Sequence, residues 1–164
     1  MKKILFVLFM LVITANVFAA DEFTIRDGIK FGMSEREILD IEKNPDVDRD
    51  REKISWNLTL DEIEVEDVRE FGVRGDLHYF FMDDKMVMTL YDFDAEDIRY
   101  ETLKAELEKK YGEASEADEK QIFIATDKLL GRKKEMWNLD NVQIILAQDW
   151  DDIDLAFLDP AAKW

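Results

Sequence analysis

The chain contains no cysteine. That absence excludes a disulfide framework, a thiolate metal site, a cysteine nucleophile and a lipid-anchored product of export processing. Histidine is nearly missing as well, with His78 alone. One histidine and no cysteine cannot assemble a typical zinc or copper site. The six glycines are scattered singly, so no glycine-rich loop can cradle a phosphate. The only serines are Ser34, Ser55 and Ser115, none in a nucleophile-elbow context. Positive charge is scarce too: 22 Lys and Arg face 39 Asp and Glu, a formal charge of −17. Such a surface repels nucleic-acid phosphates and anionic headgroups, so nucleic acid is not an expected partner. Attraction to a basic partner or to divalent cations is the opposite expectation, and solubility is the plainer reading of the same charge.

Long apolar runs are confined to the first twenty residues, MKKILFVLFMLVITANVFAA. Lys2 and Lys3 form a basic start, Ile4 to Val17 an apolar stretch, and Ala19 and Ala20 a small-residue exit before Asp21. This is the pattern of a cleaved secretory signal peptide. Its apolar part is shorter than the roughly 20 residues that cross a bilayer. The expectation is therefore an exported protein, periplasmic or secreted, without membrane anchoring after cleavage. Loss of Lys2 and Lys3 would take the charge from −17 to −19. The remaining residues 21–164 have the size of one domain with a core of its own.

Within that domain, Phe23 to Phe31 alternates loosely around Asp27-Gly28 and suggests one or two short strands. Ser34 and Glu37 are spaced as a capping box, with Met33 and Ile38 as the staple around it. A short helix is expected from about Glu35 to Lys43, stopped by Asn44-Pro45. Asp46 to Lys53 reads as a charged loop. Its alternating carboxylates imitate the opening of a calcium loop, but Arg51 stands where the turn needs glycine and Asn57 where a bidentate glutamate is needed. Ile54 to Leu60 alternates most cleanly and is expected to be a single half-buried strand, whereas Ile63 to Phe71 is left open.

Asp76 to Met82 and Lys85 to Phe93, separated by Asp83-Asp84, have the pattern of a β-hairpin. Asp94 is the candidate cap of a second, longer helix ending at Lys110 and Gly112, with Tyr100, Leu103, Leu107 and Tyr111 on one face. Strands are expected again at Gln121 to Thr126, about Glu135 to Leu139, Val142 to Gln148 and Ile153 to Leu158. Asp149, Asp151, Asp152 and Asp154 are read as turn residues at a hairpin tip.

The central hairpin carries aromatic and methionine residues on both faces. One face can pack on the helices, and the other calls for a further layer of this chain, a dimer mate or a ligand. The candidate interaction face is His78, Phe80 and Met82, and Trp56, Trp137 and Trp150 pose the same question. No residue is assigned a catalytic, cofactor-binding or metal-binding role.

Phe31-Gly32-Met33-Ser34-Glu35-Arg36-Glu37-Ile38 resembles the glycine-Met-Ser/Thr entry to the first helix of exported bacterial domains of the BamE/SmpA type. Leu107 to Gly112 and Tyr79 to Lys85 are similar to stretches in secreted bacterial domains with that helix start. The order of elements resembles the β-lactamase inhibitor protein, two helix-plus-sheet units in tandem. The resemblance implies an α+β fold of antiparallel sheet with helices on one face, here with halves 21–93 and 94–164. An assembly role of the BamE kind is not implied, since this chain has no cysteine for the lipid. The expected function is a non-catalytic binding protein of unknown partner. A proteinaceous enzyme inhibitor is the narrower form of that reading, and a carboxylate-based hydrolase is its rival.

Overall fold

The computed structural model describes residues 23–43, 47–55, 58–116 and 133–162. The first twenty residues, Trp56 and the expected strand at Gln121 to Thr126 lie outside the described residues. Within them, helix α1 (Glu35–Glu42) is followed by strands β1 (Val47–Ser55), β2 (Leu58–Glu70), β3 (Val73–Met82) and β4 (Lys85–Asp94). Helix α2 (Tyr100–Tyr111) then leads to β5 (Ser115–Glu116), β6 (Lys133–Leu139), β7 (Val142–Gln148) and β8 (Asp152–Leu158). All eight strands join one antiparallel sheet in the order β1-β2-β3-β4-β8-β7-β6-β5. Two meanders thus meet where β4 pairs with β8. Strands dominate, so the fold is best described as an antiparallel sheet carrying two helices.

The local chemistry of α1 is as its sequence dictates. Ser34 accepts from the Glu37 amide at 3.4 Å, and the Glu37 carboxylate accepts from the Ser34 amide at 2.8 Å. Lys43 ends the helix in a left-handed conformation and donates its amide to Leu39. α2 departs from expectation. Asp94 does not cap it; its carboxylate accepts from the Glu96 amide at 2.7 Å and closes a turn, and the helix starts only at Tyr100 after Arg99. An aspartate bonding its own backbone two residues on competes with capping.

Four other strand assignments need correction. Phe23 to Phe31 forms turns rather than strands, because its backbone is satisfied locally, the Ile25 amide donating to the Ile29 carbonyl and the Ile29 amide to the Arg26 carbonyl. Asp46 to Lys53 was expected as a loop, yet residues from Val47 onward form β1, a charged edge strand paired with β2. Charge on an edge strand discourages pairing with other chains. The clean alternation of Ile54 to Leu60 spans a reversal and not one strand, since Ser55 of β1 pairs with Leu58 of β2. Finally, Asp152 and Asp154 belong to β8 and not to the turn before it. The Asp83-Asp84 hairpin is as expected, with φ of 51° and 60° suited to a tight two-residue turn.

The helices bury one face of the sheet. Ile38, Tyr100, Leu103 and Leu107 pack in a cluster with Leu77, Tyr79, Tyr91, Phe93, Leu146 and Leu155. Each buried leucine removes enough apolar surface from water to contribute about 1.5–3 kcal/mol. The opposite face holds a second cluster of Leu60, Phe80, Met88, Leu90, Ile145 and Leu158, with Met82 and Ala162 packed at its border. The centre of the sheet is therefore buried on both sides, which explains why its strands show little alternation between apolar and polar residues.

Candidate functional site

The site grows from the sheet's edge. Because successive side chains of a strand point to opposite faces, the sequence Asp48-Arg49-Asp50-Arg51-Glu52 is sorted by sign once it becomes β1. Arg49 and Arg51 take one face, where Arg49 meets Glu35 of α1 at 2.8 Å and Arg51 meets Asp61 at 3.0 Å. Asp48, Asp50 and Glu52 take the other. They line a cavity of about 200 Å³ together with Glu62 and Glu64 of β2 and His78 and Phe80 of β3. Register makes this convergence: Asp48 pairs with Glu64 and Glu64 with His78, while Asp50 pairs with Glu62 and Glu62 with Phe80. Among the described residues, five carboxylates and no Lys or Arg line the cavity.

His78 closes its floor at 4% exposure. The Glu62 carboxylate accepts from its Nδ1 at 2.7 Å, and the ring stacks on Phe80 at 6.3 Å between centroids. That bond orients the imidazole, as a carboxylate partner does wherever it fixes a histidine tautomer. The arrangement offers a wall of anionic oxygens beside one aromatic ring. The electrostatics of such a lining favour positive charge.

Of the candidate interaction face, His78 and Phe80 are buried and reach a ligand only where they line this cavity, while Met82 is half-buried beside the second cluster. The five carboxylates were not singled out as a group from the sequence. The alternating carboxylates of the calcium-loop imitation were the available signal, but they lie on a strand paired with β2 and not in a loop. Among the described residues, no group of three or more His, Asp and Glu is placed to hold a metal ion.

A second acidic region lies further along the same face. Asp76 pairs with Asp92 and Asp92 with Asp154, and Asp94 pairs with Asp152 one step beyond. Burial pushes the Asp152 carboxyl up, helped by the charges of Asp92, Asp151, Asp94 and Asp149. A bulge in β2 between Val65 and Val68 turns the Asp67 amide onto Asp76 at 3.1 Å, and Arg74 binds the Asp67 carboxylate at 2.8 Å. On the helical side, by contrast, polar groups serve packing. Tyr79 donates its hydroxyl to Glu42, whose carboxylate also lies 3.6 Å from Arg26. Trp137 is buried and donates to the Gly112 carbonyl at 2.8 Å, so it belongs to the structure of the α2 terminus.

Fold and site together define a strand-dominated antiparallel domain with an acidic cavity at one edge of its sheet. A family model, the TP0088 domain, matches residues 26–162. The chain belongs to the TP0088 domain family, whose model spans both meanders and both helices. No curated protein and no solved structure matches the chain. The likenesses to BamE/SmpA-type domains and to the β-lactamase inhibitor protein remain resemblances of short motifs and element order.

Proposed function

We propose that this chain is a non-catalytic binding protein that captures a cationic group, on a ligand or a basic partner, in the cavity between β1, β2 and β3. The observation that supports the reading is the sorting of charge by β1. It leaves five carboxylates, a buried histidine and an aromatic ring around one space, with no Lys or Arg lining it among the described residues. A cation entering such a space gains from several carboxylates at once, and enclosure reduces screening by salt. Export fits this reading: the amino-terminal segment has the pattern of a signal peptide, and the domain that remains is strongly acidic. Capture of a basic enzyme, an inhibitor role, is the narrower form of the same proposal.

The test is calorimetric titration of residues 21–164 with arginine-containing peptides at low and moderate salt. Saturable binding is expected, weaker with added salt and weaker again in the double variant Asp50→Asn/Glu64→Gln. Binding that ignores both substitutions would remove the cavity from the proposal, and absence of binding would end it.

A further inference from the structure

Trp150 is the one large apolar side chain among the described residues that stands exposed, at 69%. It occupies the turn between β7 and β8. That turn is held on both sides: the Asp149 amide donates to the Asp152 carbonyl at 3.1 Å, and the Ala95 amide donates to the Asp151 carbonyl at 2.8 Å. Beyond it the ladder continues, with Ile153 between Gln148 and Phe93. The indole is thus displayed on a fixed backbone, and ordering it against a partner costs only two side-chain torsions.

Its surroundings are strongly anionic. Asp149 and Asp151 flank it in sequence, and Asp152 lies beside Asp94 across the β4–β8 pair. An open groove of about 450 Å³ runs from Asp152 past Asp92 and Asp76 to the β2 bulge, where Arg74 also lines it, its guanidinium held by the Asp67 carboxylate at 2.8 Å. Glu66 lines that groove and Glu64, two residues earlier on the same strand, lines the acidic cavity. The cavity, the groove and the tip therefore follow one another along the sheet.

From this we infer that Trp150 is the apolar anchor of a protein-binding surface, and that its partner is a basic polypeptide segment in which Lys or Arg alternates with apolar side chains. Tryptophan in a fixed, acid-rimmed position has the composition of an interface hot spot, where an aromatic anchor supplies affinity and the charged rim selects the partner. The inference rests on the proposed capture of positive charge and narrows it from a cation to a polypeptide.

Fluorescence anisotropy with two labelled peptides of equal charge, one alternating Arg and Leu and the other alternating Arg and Gly, separates the two claims. The native protein is expected to bind the Arg–Leu peptide about tenfold more tightly. Trp150→Ser should abolish that preference and Trp150→Tyr restore most of it. Equal affinity for both peptides, unchanged in Trp150→Ser yet weakened in Asp50→Asn/Glu64→Gln, overturns the anchor and leaves the cavity proposal standing. Failure of the native protein to bind either peptide overturns both. Position 150 is exposed in a turn, so these substitutions leave the core untouched.

Discussion

The hydroxyl of Tyr79, at the centre of the sheet, donates to the carboxylate of Glu42, the last residue of α1. Tyr79 is fully buried and the Glu42 side chain is 6% exposed, so the bond forms where water cannot replace it. Tyr79→Phe removes the donor and leaves a buried carboxylate beside Arg26, 3.6 Å away. The expected loss is about 1.5–3 kcal/mol, the range for hydrogen bonds to charged groups, read as a lower urea midpoint with an unchanged slope. An unchanged midpoint would mean that the helix is held by its apolar face alone.

The same burial governs behaviour in alkali. Burial pushes the hydroxyls of Tyr79, Tyr91 and Tyr100 up from the usual 10.0, aided by Glu42, Glu70 and Glu135 respectively. A group whose value is raised by folding contributes stability below its unfolded value and loses that contribution as pH rises beyond it. These three tyrosines should therefore ionise only as the chain unfolds. Tyrosinate absorbance and loss of near-ultraviolet dichroism are expected to rise together above pH 10.0. Ionisation of all three with the dichroism intact would contradict their burial.

Gly75 permits an approach that no other residue would. A Cβ there would lie 2.4 Å from the Asp92 carbonyl oxygen and 2.6 Å from the Phe93 ring. The obstacle on one side is backbone, which cannot rotate away. Gly75→Ala should cost about 1–3 kcal/mol as overpacking and disturb the β3–β4 register beside the Asp76–Asp92 pair. Thermal unfolding of the variant, with the β4 amides followed by hydrogen exchange, checks both effects. Native-like stability would show that the two strands can separate at this point without penalty.

How much of this was legible in the sequence depends on where the information lies. The Asp83-Asp84 turn and the Ser34–Glu37 capping box are local, set by residues within a few positions of one another, and both are found. β1 was not legible, because a strand with almost no apolar residue is defined by its ladder to β2 rather than by its own pattern. The alternation from Ile54 to Leu60 misled for the same reason: it continues in sequence through a reversal of the chain. His78 and Phe80 could be picked out from their aromatic strand. The carboxylates facing them could not, because Asp48, Glu64 and His78 are neighbours only through the register of three strands.

The capping box offers a test at the opposite end of the pH scale. Hydrogen bonds from the Ser34 amide and hydroxyl hold the Glu37 carboxyl below its usual 4.5. A depressed carboxyl contributes stability above its unfolded value and loses it as pH falls through the folded one. Glu37→Gln should thus lower the unfolding temperature at pH 7, with the difference from the native chain shrinking below pH 4.5. Ser34→Ala also removes the acceptor for the Glu37 amide and should cost about 0.5–2 kcal/mol across that range.

The aspartates of β4 and β8 give the reverse slope. Burial and neighbouring charges push Asp152 above its usual 3.8, so the folded chain prefers it protonated and carries a repulsion at neutral pH. Its direct cross-strand partner is Asp94, and like charges in that position are destabilising by about 0.2–1 kcal/mol. Asp152→Asn keeps the shape, removes the charge and should stabilise the chain by that order at pH 7. The gain should fade as pH falls through the raised value, because the native carboxyl then neutralises itself. Paired melting curves at acid and neutral pH measure the difference. A variant less stable than the native chain at pH 7 would mean that the Asp152 carboxylate is held by attraction stronger than the repulsion of Asp92, Asp94, Asp149 and Asp151.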